Sequence, residues 1–396
     1  MSFKTGTGYA YVSLSWEARL IHKKLLIAIF SILALSLLAF AQQVIENPEK
    51  PLAKNAGRVL ELKEVLKILD GGTDQYYFKY PRNLCIAPDE SIFVQDENQI
   101  LQFDKTGRFL RNYFKKGQGP GEMNYAGNIV FTDKNIIIQD SYLKKILWFD
   151  YGGRFIKDLT IRQISGSILR LILFLNNVYY FDEWEFPSVK GEPDYIDVLD
   201  SILAISDSAE EIKSLMSFTV KKYVIPSSHG GGGFFDIGRF MAISHQNRYL
   251  VISHTSEYLL KIYDPTRNQI VRTFKRAYER AKPPPEIDES KKSGFIVKGK
   301  RFTAPEQKYL NDVANIFAQK DEIWIATSTD DKNKGQLIDV FNFEGIYIDS
   351  FYFKPPEKTK INFTQTDGCA VSGDFLYTID KNEDGTYAIK KYQIGG

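Results

Sequence analysis

VQDENQILQFDKTGRFLRNYFKKGQGPGE, residues 94–122, reads as strand, turn, strand, Gly-centred turn, strand and glycine-rich loop. The D-K-T-G turn at 104–107 puts glycine where a hairpin needs a positive φ. The pattern returns at 138–161 as IQDSYLKKILWFDYGGRFIKDLTI, and in weaker copies as far as the C-terminus. A unit this small cannot bury its own faces, so repeated copies must pack on one another.

Working outward, the first full unit has strands at 84–86, 91–95, 99–103 and 108–114, and the second at 128–131, 135–139, 145–149 and 154–159. Further units begin near Leu169, Phe240 and Ala314, and a last one near Gly368 stops after three strands. A constant spacing of eleven residues supports this register. It links Cys85 to Asp96, Ile129 to Asp140, Leu171 to Asp182, Ala242 to Ser253, Ile316 to Thr327 and Cys369 to Asp380. GRVLELKEVLKIL at 57–69 has high helix propensity, yet its place before LCIAP matches that of GRFLRNYFKK before IVFT. It therefore reads as an outer strand without its own preceding three. The predicted fold is all-β: a six-bladed β-propeller of four-stranded antiparallel blades, the last closed by this N-terminal strand. Closure removes the exposed edges that the competing reading, an open β-sandwich array, would leave.

The chain of 396 residues is long enough for a large core. Its 23 Tyr and 28 Phe favour strands. The net charge of +2 includes a basic N-terminus: residues 1–41 hold Lys4, Arg19, Lys23 and Lys24 against Glu17, which leaves the remainder at about −1. A nearly neutral body argues against nucleic acid as partner. Lys23-Lys24, the apolar run 25–38 and Ala39-Phe40-Ala41 form a secretory signal with cleavage expected after Ala41. The alternative is an uncleaved anchor facing outward, which is short for a bilayer span and is the only route to membrane contact. Residues 42–56 read as a polar, proline-bearing linker, and 57–396 as the propeller with an insert at 278–311. Thr303 is a candidate helix cap in that insert, with Pro305 and Glu306 in the first turn.

DSYLKKILWFD at 140–150 resembles the NHL-type repeat: Asp ending the second strand, a basic residue before a β-branched one, then aromatic-Asp. FDKTGRFLRNYFKKGQGPGE at 103–122 resembles the extracytoplasmic six-bladed propellers of bacteria, NHL-like or TolB-like. The likeness spans residues 57–396 and is strongest in blades one and two. It departs at Lys145, where Arg is usual, and at Ser253 and Thr327, which stand for Asp. The resemblance implies a secreted or periplasmic propeller. It implies no single reaction, because members bind diverse partners.

Connections between second and third strands, and between successive blades, open on one face of such a fold. Asp96, Asp140, Asp182 and Asp380 each end the second strand of their blade near that face, and with Glu122, His229 and His254 they are the candidate ligand-binding residues there. The carboxylates could ring a cation such as calcium, or each could close its own turn by accepting backbone N–H groups. Gly117–Glu122 lacks the Lys-Ser/Thr of a phosphate loop and reads as a turn. Two or three histidines are few for a zinc site, and no GxSxG elbow is present. Cys85 and Cys369 occupy equivalent places in adjoining blades, either bridged or as two small buried thiols. The leading expectation is a binding module for a protein, peptide or glycan on the loop-rich face, with no cofactor. The alternative is a metal-dependent hydrolase or lyase at the axial channel.

Overall fold

The computed structural model describes residues 44–71, 75–161, 168–187, 195–225, 233–236, 238–283, 294–297, 300–303, 305–357, 359–364, 368–382 and 384–395. His229 and the apolar run 25–38 lie outside them.

The sheets fall in chain order. Blade one is Pro81–Ile86, Ile92–Asp96, Gln99–Phe103 and Phe109–Asn112, and blade two is Ala126–Phe131, Asn135–Asp140, Lys145–Asp150 and Phe155–Thr160. Blade three is Ile168–Leu175, Val178–Glu185, Tyr195–Ser206 and Ile212–Ile225, with Gly233–Asp236 added outside. Blade four is Phe240–His245, Tyr249–His254, Leu259–Asp264 and Gln269–Arg276. Blade five is Val313–Ala318, Glu322–Asp331, Gly335–Asn342 and Tyr347–Lys354. Blade six takes Cys369–Ser372, Phe375–Lys381 and Tyr387–Ile394, and Arg58–Leu69 pairs antiparallel with the last of these. The innermost strands neighbour one another in sequence, and that of blade six also neighbours that of blade one.

The two C–D turns of the opening repeat are built alike. Gly107 and Gly153 both have φ of +85°, and Asp104 and Asp150 each accept the N–H of the Arg four residues on. The Thr106 hydroxyl, above all, pulls the Asp104 carboxyl down to about 2. Second and third strands such as Ile92–Asp96 are buried at every residue, because both faces of a blade are covered by its neighbours. The buried apolar residues form six clusters among the described residues, one at each seam between blades. Arg58–Leu69 overrides its helix propensity for the same reason. Leu60, Leu62, Leu66 and Ile68 all face inward, a period of two, while Val59, Val65 and Leu69 stay exposed.

Three expectations are corrected. Residues 42–56 are not a bare linker, because Ile45–Asn47 pairs in parallel with Phe274–Arg276 as a fifth strand of blade four. From there the chain runs along blade five, with the N–H groups of Leu52, Ala53 and Gly57 donating to Tyr347, Ile348 and Ser350. Thr303 does not cap a helix: Lys300–Thr303 pairs with Gly294–Val297 as a hairpin, whose partner strand supplies the backbone bonds a cap would have supplied. Asp182 does not end its strand, which continues to Glu185 because blade three pairs farther out than blades one and two.

Candidate functional site

The predicted acidic set is placed residue by residue. Asp96 is fully buried and accepts the N–H groups of Lys79 and Tyr80 at 2.6 and 2.8 Å. Burial pushes its carboxyl above the ordinary value, against the pull of those two donors. Asp140 accepts Tyr142 and Leu143 N–H, both at 2.9 Å, and Asn124 N–H from the incoming loop. Asp380 takes the Thr378 hydroxyl at 2.7 Å, the Tyr392 hydroxyl at 3.1 Å and Lys390 Nζ at 3.1 Å. Glu122 turns back onto its own loop, accepting Gly119 N–H at 3.0 Å. Each of these four carboxylates closes the backbone or side chains of its own blade and the connection beside it.

Lys145 extends this pattern. Its buried ammonium donates to the carbonyls of Gly119 and Glu122 and pairs with Asp158 at 2.8 Å. The glycine-rich loop thus aims carbonyls at a cation, the reverse of a phosphate cradle. His254 shares a hydrogen bond of 2.6 Å with Ser256 Oγ, and burial lowers its pKa, so it is neutral at pH 7. Among the described residues no three His, Cys, Asp or Glu converge as metal ligands.

Asp182 differs from the rest. Its Oδ2 is held by Arg170 through Nε at 3.1 Å and Nη2 at 2.8 Å. Its Oδ1 and the Oδ1 of Asp200 are both buried without a donor. Burial, then the neighbouring Asp182, pushes the Asp200 carboxyl far above the carboxylate range, so it carries a proton at neutral pH. One proton shared between the two satisfies both oxygens.

Arg170 and Asp182 line a cavity of about 520 Å³ on the axis, walled by innermost-strand residues of all six blades, among them Leu84, Asn128, Met241, Asn315 and Ala370. The strand pairing shifts register between Arg82 and Cys85, Ala126 and Ile129, and Val313 and Asn315, bulges of the kind that re-aim side chains. Cys85 and Cys369 line the same cavity, and their sulfurs lie against the carbonyls of Asn83 and Asn362. Sequence reasoning missed Arg170, Asp200 and Asn315. A signal existed: superposing the repeats on Ile129, Leu171 and Ile316 puts Asn128, Arg170 and Asn315 at one position, where blades one and four carry Leu84 and Met241.

Two further cavities open on the face that carries the blade-to-blade connections. One, of about 820 Å³, lies between the end of the hairpin at 330–335 and residues 354–357 and 359–363. The other, of about 430 Å³, is lined by Arg239, Thr255, Asn311 and Ser328. They share Asp330, Gln336 and Ile361–Phe363, and Arg239 also lines the axial cavity. Gln336 Nε2 donates to Thr329 O at 3.0 Å, and Arg239 to Thr364 O, which hold the rim together.

The DUF5128 family model, described as a 6-bladed beta-propeller, matches residues 61–224. A protein of Bacteroides fragilis described as exported is similar in structure, with a TM-score of 0.50 and 13% identity over 89% of this chain and 100% of that one. A member of the DUF4221 family from Bacteroides vulgatus has a TM-score of 0.51 and 11% identity over 85% of this chain and 99% of its own. No curated protein matches the sequence. Repeat, sheet order and likeness agree: the chain is a six-bladed β-propeller.

Proposed function

We propose that this propeller is a secreted or periplasmic binding module that takes a protein, peptide or glycan on its loop-rich face. The observation that carries this reading is the pair of cavities meeting at Asp330, Gln336 and Asn362. At about 820 and 430 Å³ they fall in the range of ligand sites. Their lining mixes carboxylates, lysines and amides with Phe363, a composition suited to a polar polymer. They are built from connections on a rigid scaffold, the usual location of recognition. The signal-like N-terminus supports export.

The test is calorimetric titration of the full chain with peptidoglycan-derived glycans and with peptides. One class should bind in the micromolar range, and Gln336→Ala should weaken it about tenfold. Equal affinity in the Gln336→Ala variant would remove these cavities from consideration. A rise in thermal stability with calcium or zinc would favour the metal-dependent hydrolase or lyase instead.

A further inference from the structure

The axial channel holds hydrogen-bond donors that no group in the described protein accepts. Arg170 uses its Nε–Nη2 edge on Asp182 Oδ2. The guanidinium carries five N–H bonds, and Nη1 has no partner among the described residues. Its side chain is 39% exposed, toward the cavity of about 520 Å³. Asn315 lines the same cavity and is 2% exposed, and its Nδ2 is buried without a partner. The amide orientation is set, because Asn315 Oδ1 accepts the Ile316 N–H at 2.8 Å and the reversed amide would oppose two donors. Ser244 Oγ, a third lining group, is likewise buried without a partner. That hydroxyl can donate or accept, and the lining carboxylate oxygen in the same condition, Asp182 Oδ1, has the protonated Asp200 carboxyl beside it. What remains in the channel is an excess of donors around one open guanidinium edge.

We propose that the axial channel is a binding site for a carboxylate, gripped by the Nη1–Nη2 edge of Arg170 with Asn315 Nδ2 as a further donor. A planar acceptor with two oxygens matches one guanidinium edge. Asp182 already sits on the same guanidinium, so a dianion such as phosphate is repelled more than a monoanion. The cavity has room for a small sugar acid or the C-terminal residues of a peptide. Arg239, at the junction with the loop-face groove, marks the side from which such a group enters. The site is independent of the loop-face reading, because neither Arg170 nor Asn315 lines those grooves.

Calorimetry on the full chain tests it with glucuronate and Ala-Ala, each against an uncharged counterpart, glucose and amidated Ala-Ala, and with inorganic phosphate. At least one carboxylate should bind about tenfold or more tightly than its counterpart. Which of the two binds identifies the source as sugar acid or peptide. Asn315→Asp, which turns the buried donor into an acceptor of nearly the same shape, should weaken binding by about tenfold or more. Arg170→Lys keeps the charge beside Asp182 but removes the fork, and should lose most of the preference. Thermal melts of both variants establish that they are folded. The proposal is overturned if charged and uncharged probes bind alike, if phosphate binds more tightly than either carboxylate, or if folded Asn315→Asp binds as the parent does.

Discussion

Asp200 and His245 are both buried and titratable, and they pull stability in opposite directions as pH changes. The Asp200 carboxyl is raised in the folded protein, by burial first and Asp182 second. Between its unfolded and folded values the native state holds a proton that the unfolded chain has lost, so stability falls as pH rises. Asp200→Asn replaces the proton donor with an amide donor. It should match the parent at acid pH and, having no carboxyl to titrate, exceed it at pH 7 with a flatter decline toward alkaline pH. Asp200→Ala leaves Asp182 Oδ1 without a donor and should lie about 1–3 kcal/mol below Asp200→Asn in urea titration. Equal stability of the two variants would rule out the shared proton. Burial drives His245 down to about 4 from 6.5, its ring lying 4.4 Å from that of Phe343. Its contribution is present above the ordinary value and is lost as pH falls through the folded one, up to about 3 kcal/mol. His245→Leu should flatten the acid limb of the stability curve between those values. A parent curve without that limb would contradict the assignment.

At the scale of elements, side chains lace the blades together where backbone pairing cannot. Gln139 donates to Leu169 O at 2.8 Å and accepts Leu171 N–H at 2.7 Å, so blade two grips the innermost strand of blade three. Gln95 does the same for blade one, donating to Ala126 O. Between blades four and five, Asp339 accepts Arg276 Nε at 2.7 Å and the hydroxyls of Tyr258 and Tyr347 at 2.5 and 2.6 Å. The N-terminal strand adds an outer strap. Asn47 donates to Lys275 O and Gly345 O and accepts Tyr347 N–H, at 3.0, 2.8 and 2.8 Å. Asn47→Ala strands three partners at once and should cost about 3 kcal/mol. Denaturant titration reads this as a lower midpoint at unchanged slope. A change below about 0.5 kcal/mol would show that the strap contributes little.

For the whole molecule the decisive contact is the seam that the N-terminal strand makes between the last two blades. Arg58–Leu69 serves two neighbours: its first residues pair in parallel with Phe351–Lys354 of blade five, and the rest pair with Ala388–Ile394 of blade six. Leu62 is buried at that junction among Phe351, Phe353 and Tyr392. Leu62→Ala should cost about 2–5 kcal/mol, and a single transition should persist if the blades unfold together. A separate early transition for blades five and six would show that the ring is not one cooperative unit.

The repeat, its six-fold count and the strand borders of blades one and two were legible because spacing and turn chemistry are local. The D-K-T-G turn forms wherever those residues stand, and the eleven-residue offset follows from a hairpin of constant length. The lacing was not legible. Nothing near Asn47 in sequence announces contacts with residues 275, 345 and 347, and a tether and a strap have the same composition. Asp96, Asp140, Asp380 and Glu122 could be listed as polar groups on one face, but whether a carboxylate faces a ligand or its own turn depends on which N–H groups lie within about 3 Å. Arg170 and Asn315 stood at one repeat position, yet only closure of the six innermost strands brings them to one cavity. By itself, then, the sequence determined the unit, its copy number and the closing strand, since these rest on short-range periodicity. The tertiary structure alone decided which polar groups are spent on the fold and which remain open, because that is settled by contacts between residues far apart in the chain.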